Sequence, residues 1–231
     1  MTTQTTETSP LGIARLAGFL YLLAVPLGIF SLSVSRLIVS GDAAATAVKI
    51  MASESLFRFG IVSDLLATLV IMLVALTLYE LLKPVNKNMA SPMVMLVLIG
   101  VPISMLTTLN RVAALQILNG ADFLKVFTTG QLQALAYQFL RLYDIGGTIA
   151  FIFWGLWLFP LGYLVFKSGF FPKILGVLLM IACLGYLIDS FAFFLGYTVS
   201  FGMVSVWGEV LFILWLLIKG VNVEKWKKTR A

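Results

Sequence analysis

The chain has no histidine, one cysteine and little charge for its 231 residues. Without histidine there is no Ser-His triad, no His-ligated zinc or haem, and no His proton relay. Cys183 lies alone in the apolar run LMIACLGYL. It has no partner for an intrachain disulfide and carries no information about compartment. It reads as a small packing residue, and the sequence offers no base to activate it as a nucleophile. Charged residues make up 11% of the chain, where a soluble domain carries about 25%. The period-two alternation of a β-barrel strand is also missing.

What fills the chain instead is apolar sequence, 61% of the residues. Repeated runs of about 18 or more apolar residues read as transmembrane helices. The expected fold is all-α, an integral membrane bundle of six transmembrane helices with both termini cytoplasmic. The spans fall at about 11–37, 57–82, 89–118, 131–166, 172–195 and 203–218. Residues 1–10 are Thr-rich and lack the basic start of a signal peptide. They predict a disordered cytoplasmic N-terminus ahead of a retained first span. Residues 42–55 are too polar to cross; Asp42 caps an Ala-rich surface helix there, either a lid or a plain connector. Residues 221–231 form a basic tail with Trp226 as an interface anchor.

Pro26, Pro102 and Pro160 sit within spans and predict kinks. The fourth span is the odd one. Its 36 residues would make a helix of about 54 Å, against a hydrocarbon core of about 30 Å.

The net charge of +6 points to basic loops rather than to nucleic acid. With the N-terminus inside, the inner side holds Arg15, Lys83, Lys87, Lys167, Lys173, Lys219, Lys225, Lys227, Lys228 and Arg230. The outer side holds only Arg36, Lys49, Arg58 and Lys125. Ten against four follows the positive-inside rule.

Six ionisable residues remain within the spans: Asp64, Arg111, Arg141, Asp144, Asp189 and Glu209. Such residues are costly in lipid and are candidates for ligand or ion binding. With the orientation above, each falls in the outer half of its helix. Arg141 and Asp144 share a helix face at i,i+3. Two arginines face four acids, so pairing leaves two carboxylates over. Those acids have to be hydrated, protonated, hydrogen-bonded or bound to a cation. Three readings follow. The first is a binding or transport module for a small molecule or cation, with an outward-facing polar cavity and Asp64 or Glu209 as acceptor. The second is a non-catalytic structural or regulatory membrane partner. The third is an intramembrane enzyme, for which no nucleophile–base spacing appears. No cofactor is expected, no metal site, and no partner beyond the lipid bilayer and such a ligand; the oligomeric state is left open.

A turn in the C-terminal half carries a more specific pattern. It reads Gly162-Tyr163-Leu164, then Lys167-Ser168-Gly169, then Pro172 and Leu175-Gly176. This resembles the signature of an uncharacterised bacterial polytopic membrane family, domain of unknown function 4386, with Lys167 in place of an arginine. ARLAGFLYLL at 14–23, LFRFGIVSDLL at 56–66, LYELLKPVN at 78–86 and the segment 141–146 are similar as well. The resemblance implies a small polytopic protein of the bacterial cytoplasmic membrane. It implies no activity and no site residues.

Overall fold

The computed structural model describes residues 9–230. Its described residues form helices and no strands. In chain order they are α1 (Pro10–Val34), α2 (Ala43–Ala52), α3 (Glu54–Leu82), α4 (Lys87–Leu118), α5 (Thr129–Leu156), α6 (Leu158–Lys167), α7 (Lys173–Phe194), α8 (Gly202–Ile218) and α9 (Val223–Arg230). Short 3-10 turns follow α1 at Ser35–Leu37 and precede α5 at Asp122–Leu124. Residues 1–8, most of the expected disordered N-terminus, lie outside the described residues, as does Ala231. Pro10 already opens α1, where a missing N–H costs nothing.

Among the described residues five segments are long and apolar enough to cross a membrane: Pro10–Leu37, Glu54–Leu82, Lys87–Leu118, Thr129–Lys167 and Lys173–Phe194. A sixth crossing needs α8 and α9 together, and they meet at 102°. At 1.5 Å per residue the 17 residues of α8 span about 25 Å, short of a full core. Large apolar side chains face outward along the spans, among them Phe19, Leu32, Phe59, Leu106, Ile174 and Leu184. Such a surface needs lipid as its solvent.

The helix expected over 131–166 is broken. α5 ends at Leu156 and α6 starts at Leu158. Pro160 has no N–H to give the Leu156 carbonyl, and the break falls within that turn. α1 runs unbroken through Pro26, and α4 through Pro102.

The chain divides into two compact units. The smaller comprises Leu23–Val70 and Gly100–Ala150; the larger comprises residues 9–22, Ile71–Ile99 and 151–230. The smaller unit has its own core of Val34, Ile50, Phe57, Ile61, Leu115 and Leu140. Through Ile50, fully buried, α2 packs into that core. Asp42 caps it, its Oδ1 accepting from Ala45 N at 2.8 Å. Tyr137 OH accepts from Gly41 N at 2.9 Å.

In the larger unit α6 and α7 form a tight hairpin. A methyl group at Gly162 would lie 2.6 Å from the Gly176 carbonyl oxygen, and one at Gly176 would lie 2.5 Å from that of Gly162. Only glycine lets the two backbones approach so closely. The turn between them is closed by Ser168, whose hydroxyl donates to Val165 O at 2.8 Å and accepts from Phe171 N at 3.2 Å. Gly169 takes a φ of +71° there. The family signature is thus a set of turn and close-packing positions.

The tail differs from its expectation. Residues Val223–Arg230 are helical, and Trp226 is buried, its Nε1 donating to Leu81 O at 2.9 Å. In the last turn of α3, Val85 N bonds to Leu82 O instead of Leu81 O, so the indole meets a carbonyl the helix leaves open. Trp226 anchors the tail to protein rather than to the interface.

Candidate functional site

The structure sorts the six intramembrane charges by their partners. Arg111, Asp64, Arg141 and Asp144 belong to the smaller unit; Asp189 and Glu209 belong to the larger.

Arg111 on α4 is only 1% exposed. Its Nη1 donates to Ser31 Oγ at 3.0 Å, and its Nη2 to Ser35 Oγ at 3.3 Å and Ser31 O at 3.4 Å. The guanidinium carbon lies 3.9 Å from the ring centroid of Tyr143, a stacked cation–π contact. Its Nε has no hydrogen-bond partner. Tyr143 then bridges: its hydroxyl donates to Asp64 Oδ2 at 3.0 Å. Thr108 Oγ lies 2.9 Å from the same oxygen and 3.0 Å from Ser104 O, so its one proton serves either acceptor. α1, α3, α4 and α5 are thereby joined through one polar chain.

The expectation that each arginine pairs with a carboxylate holds for one of the two. The ion pairs among the described residues are Arg58–Glu54, Lys83–Glu80, Lys125–Asp122 and Arg141–Asp144. Arg111 makes none of these pairs, and the Tyr143 ring covers its face instead. Arg141 and Asp144 meet at 3.6 Å on the α5 surface, with side chains 49% and 37% exposed. Such an exposed i,i+3 pair contributes about 0–1 kcal/mol.

Asp189 on α7 has a structural occupation. Its Oδ1 accepts from Phe201 N at 2.7 Å and its Oδ2 from Gly202 N at 2.6 Å. These are open donors at the start of α8, where a carboxylate also meets the positive end of the helix. A methyl group at Gly202 would come within 2.9 Å of Asp189 Oδ2, so a larger residue there would displace the carboxylate.

Glu209, about two turns into α8, is held differently. Tyr21 of α1 donates a hydrogen bond to its Oε2. Tyr186 of α7 donates to its Oε1 at 2.7 Å. Trp157 stacks beside Tyr21, with ring centroids 6.0 Å apart. Among the described residues no lysine or arginine joins Glu209 in an ion pair, and its carboxylate caps no helix. A carboxylate offers about four acceptor positions, and two phenols fill two. The remainder suits a proton or a cation.

Among the described residues no three of His, Cys, Asp and Glu come together as a metal site. Cys183 is buried and free. Sequence reading overlooked Tyr21, Tyr143 and Tyr186, which complete both polar sets. Tyr143 stands between Arg141 and Asp144 in the sequence, and Tyr186 one helical turn before Asp189. Spacing of hydroxyl residues relative to intramembrane charges was the available signal.

A protein of Archaeoglobus fulgidus described as "Uncharacterized protein" is 40% identical over 169 residues, covering 72% of this chain and 87% of its own length. No solved structure matches the chain. The match to the family described as "Domain of unknown function (DUF4386)" runs over residues 16–220. The chain, a membrane-type helical bundle, therefore belongs to that family.

Proposed function

We propose that the protein is a six-span binding or transport module of the prokaryotic cytoplasmic membrane, with both termini cytoplasmic and Glu209 as its proton or cation acceptor. One observation carries this reading. Of the four intramembrane acids, Asp144 has Arg141, Asp64 is joined to Arg111 through Tyr143, and Asp189 has the start of α8. Among the described residues Glu209 alone has only neutral hydroxyls as partners. The surplus of acids over arginines thus comes to rest on a single carboxylate. An intramembrane acid without a fixed counter-charge is the group that a mobile cation or proton can join and leave.

The remaining candidates take a structural part in this reading. The set around Arg111 supports the runner-up, a structural membrane partner, because its charges balance and its contacts tie four helices together.

A hydrophobic carbodiimide, which reacts with a protonated carboxyl in an apolar setting, tests the assignment. Peptide mass spectrometry of the labelled protein places the adduct on Glu209, and Glu209→Gln removes it. In proteoliposomes under an imposed pH gradient, the same variant loses proton flux at least about tenfold, about 1.4 kcal/mol of barrier. An adduct confined to Asp64 or Asp144, with flux unchanged in Glu209→Gln, overturns the proposal.

A further inference from the structure

A second polar feature lies in the larger unit and is independent of Glu209. The end of α3, the start of α4 and the C-terminal part of α9 enclose a groove of about 380 Å³, lined by Tyr79, Lys83, Pro84, Lys87 and Thr229. We infer that this groove binds the phosphodiester headgroup of an anionic phospholipid.

Its walls are fixed. The turn Pro84-Val85-Asn86 sets Lys83 and Lys87 on either side of a tight reversal, with Val85 N bonded to Leu82 O at 2.9 Å. The third wall, α9, is held down by the Trp226 indole on Leu81 O. The charges suit an anion. Lys87 is exposed and makes no ion pair among the described residues. It is also the first residue of α4, where a cation opposes the helix dipole and a bound anion relieves both. Lys83 is held by Glu80 at 2.6 Å in an exposed pair, a weak tie that yields to a better acceptor. Tyr79 and Pro84 give the groove apolar walls beside the two ammonium groups, which matches a headgroup with its glycerol attached.

The bend favours lipid over free phosphate. α9 turns 102° from α8; with α8 as the sixth crossing, as in the proposed function on which this step rests, α9 runs along the bilayer surface. It carries Lys225, Lys227 and Lys228 as exposed residues. Trp226 faces the other way, buried against the end of α3, so the lysines are left on the open side of the helix. The groove opens beside a surface where anionic lipid collects around basic side chains.

Native mass spectrometry of the full chain in detergent tests this, with phosphatidylglycerol and phosphatidylcholine as probes and inorganic phosphate as competitor. Phosphatidylglycerol adducts should outlast phosphatidylcholine adducts and resist phosphate. Each neutralised lysine should weaken phosphatidylglycerol about fivefold, so Lys83→Gln with Lys87→Gln weakens it about thirtyfold. Lys227→Gln with Lys228→Gln removes equal charge outside the lining and should lose far less. Should the Lys83/Lys87 pair unfold, Lys87→Gln alone carries the test at about fivefold. Equal retention of both lipids, equal loss in the two double variants, or displacement by inorganic phosphate overturns the inference.

Discussion

A buried guanidinium without a carboxylate in reach has to rely on weaker partners, and Arg111 has two kinds. Serine oxygens accept from its Nη atoms, and the Tyr143 ring covers its face. The ring and the hydroxyl of Tyr143 do different things, so they can be separated. Tyr143→Phe keeps the stack and removes the bond to Asp64, at a cost of about 1 kcal/mol. Tyr143→Leu removes the stack as well, adding about 2 kcal/mol for a desolvated contact. Thermal unfolding in detergent should rank wild type above Phe and Phe above Leu. Equal losses would place the whole effect in the hydroxyl. Arg111 and Asp64 were legible in the sequence because charge is conspicuous in an apolar run. Ser31, Ser35, Thr108 and Tyr143 were not, because a hydropathy pattern counts such residues as ordinary parts of a span.

Among the elements, the α6–α7 hairpin shows what a sequence signature can hold. Gly162 and Gly176 were legible as positions of the family signature, and the structure makes them mutual contacts across the hairpin. Gly162→Ala pushes a methyl group onto a backbone carbonyl, which has no alternative rotamer to move to. Overpacking of this kind costs about 1–3 kcal/mol. Gly147 in α5 has nothing within 4 Å of the same added atom. Gly147→Ala should therefore stabilise by up to about 1 kcal/mol through helix propensity. Melting temperatures of the two variants should move in opposite directions; a shared direction would refute the close-packing account. A kink near Trp157 was expected from Pro160, whereas the excess length of this span did not point to that place. The bond from Trp226 to Leu81 O joins residues 145 positions apart, and no local pattern reports a contact of that range.

For the whole molecule, the number of crossings rests on α8, the shortest of the candidate spans. Cysteine substitution at two exposed lysines reads it directly. Lys125 lies between α4 and α5, and Lys227 lies in α9. Six spans with cytoplasmic termini put three crossings between these sites. In intact cells an impermeant maleimide should label Lys125→Cys, and should label Lys227→Cys only after permeabilisation. Labelling of both from the same side would mean that α8 does not cross, and the reversed pattern would invert the orientation. The buried native Cys183 gives a low background for this experiment. The hydrogen bond from Tyr21 to Glu209 spans 188 positions, and its consequence is one of timing. Synthesis delivers α1 to the membrane long before α8 exists. The segments of the smaller unit are all present once residue 150 has been made, whereas the larger unit waits for the last helices. Until then Tyr21 has no carboxylate, and the surfaces meant for α7 and α8 stand open to lipid or to an insertase. The chain is therefore born with a schedule: one half can mature early, and the contact between Tyr21 and Glu209 is made last.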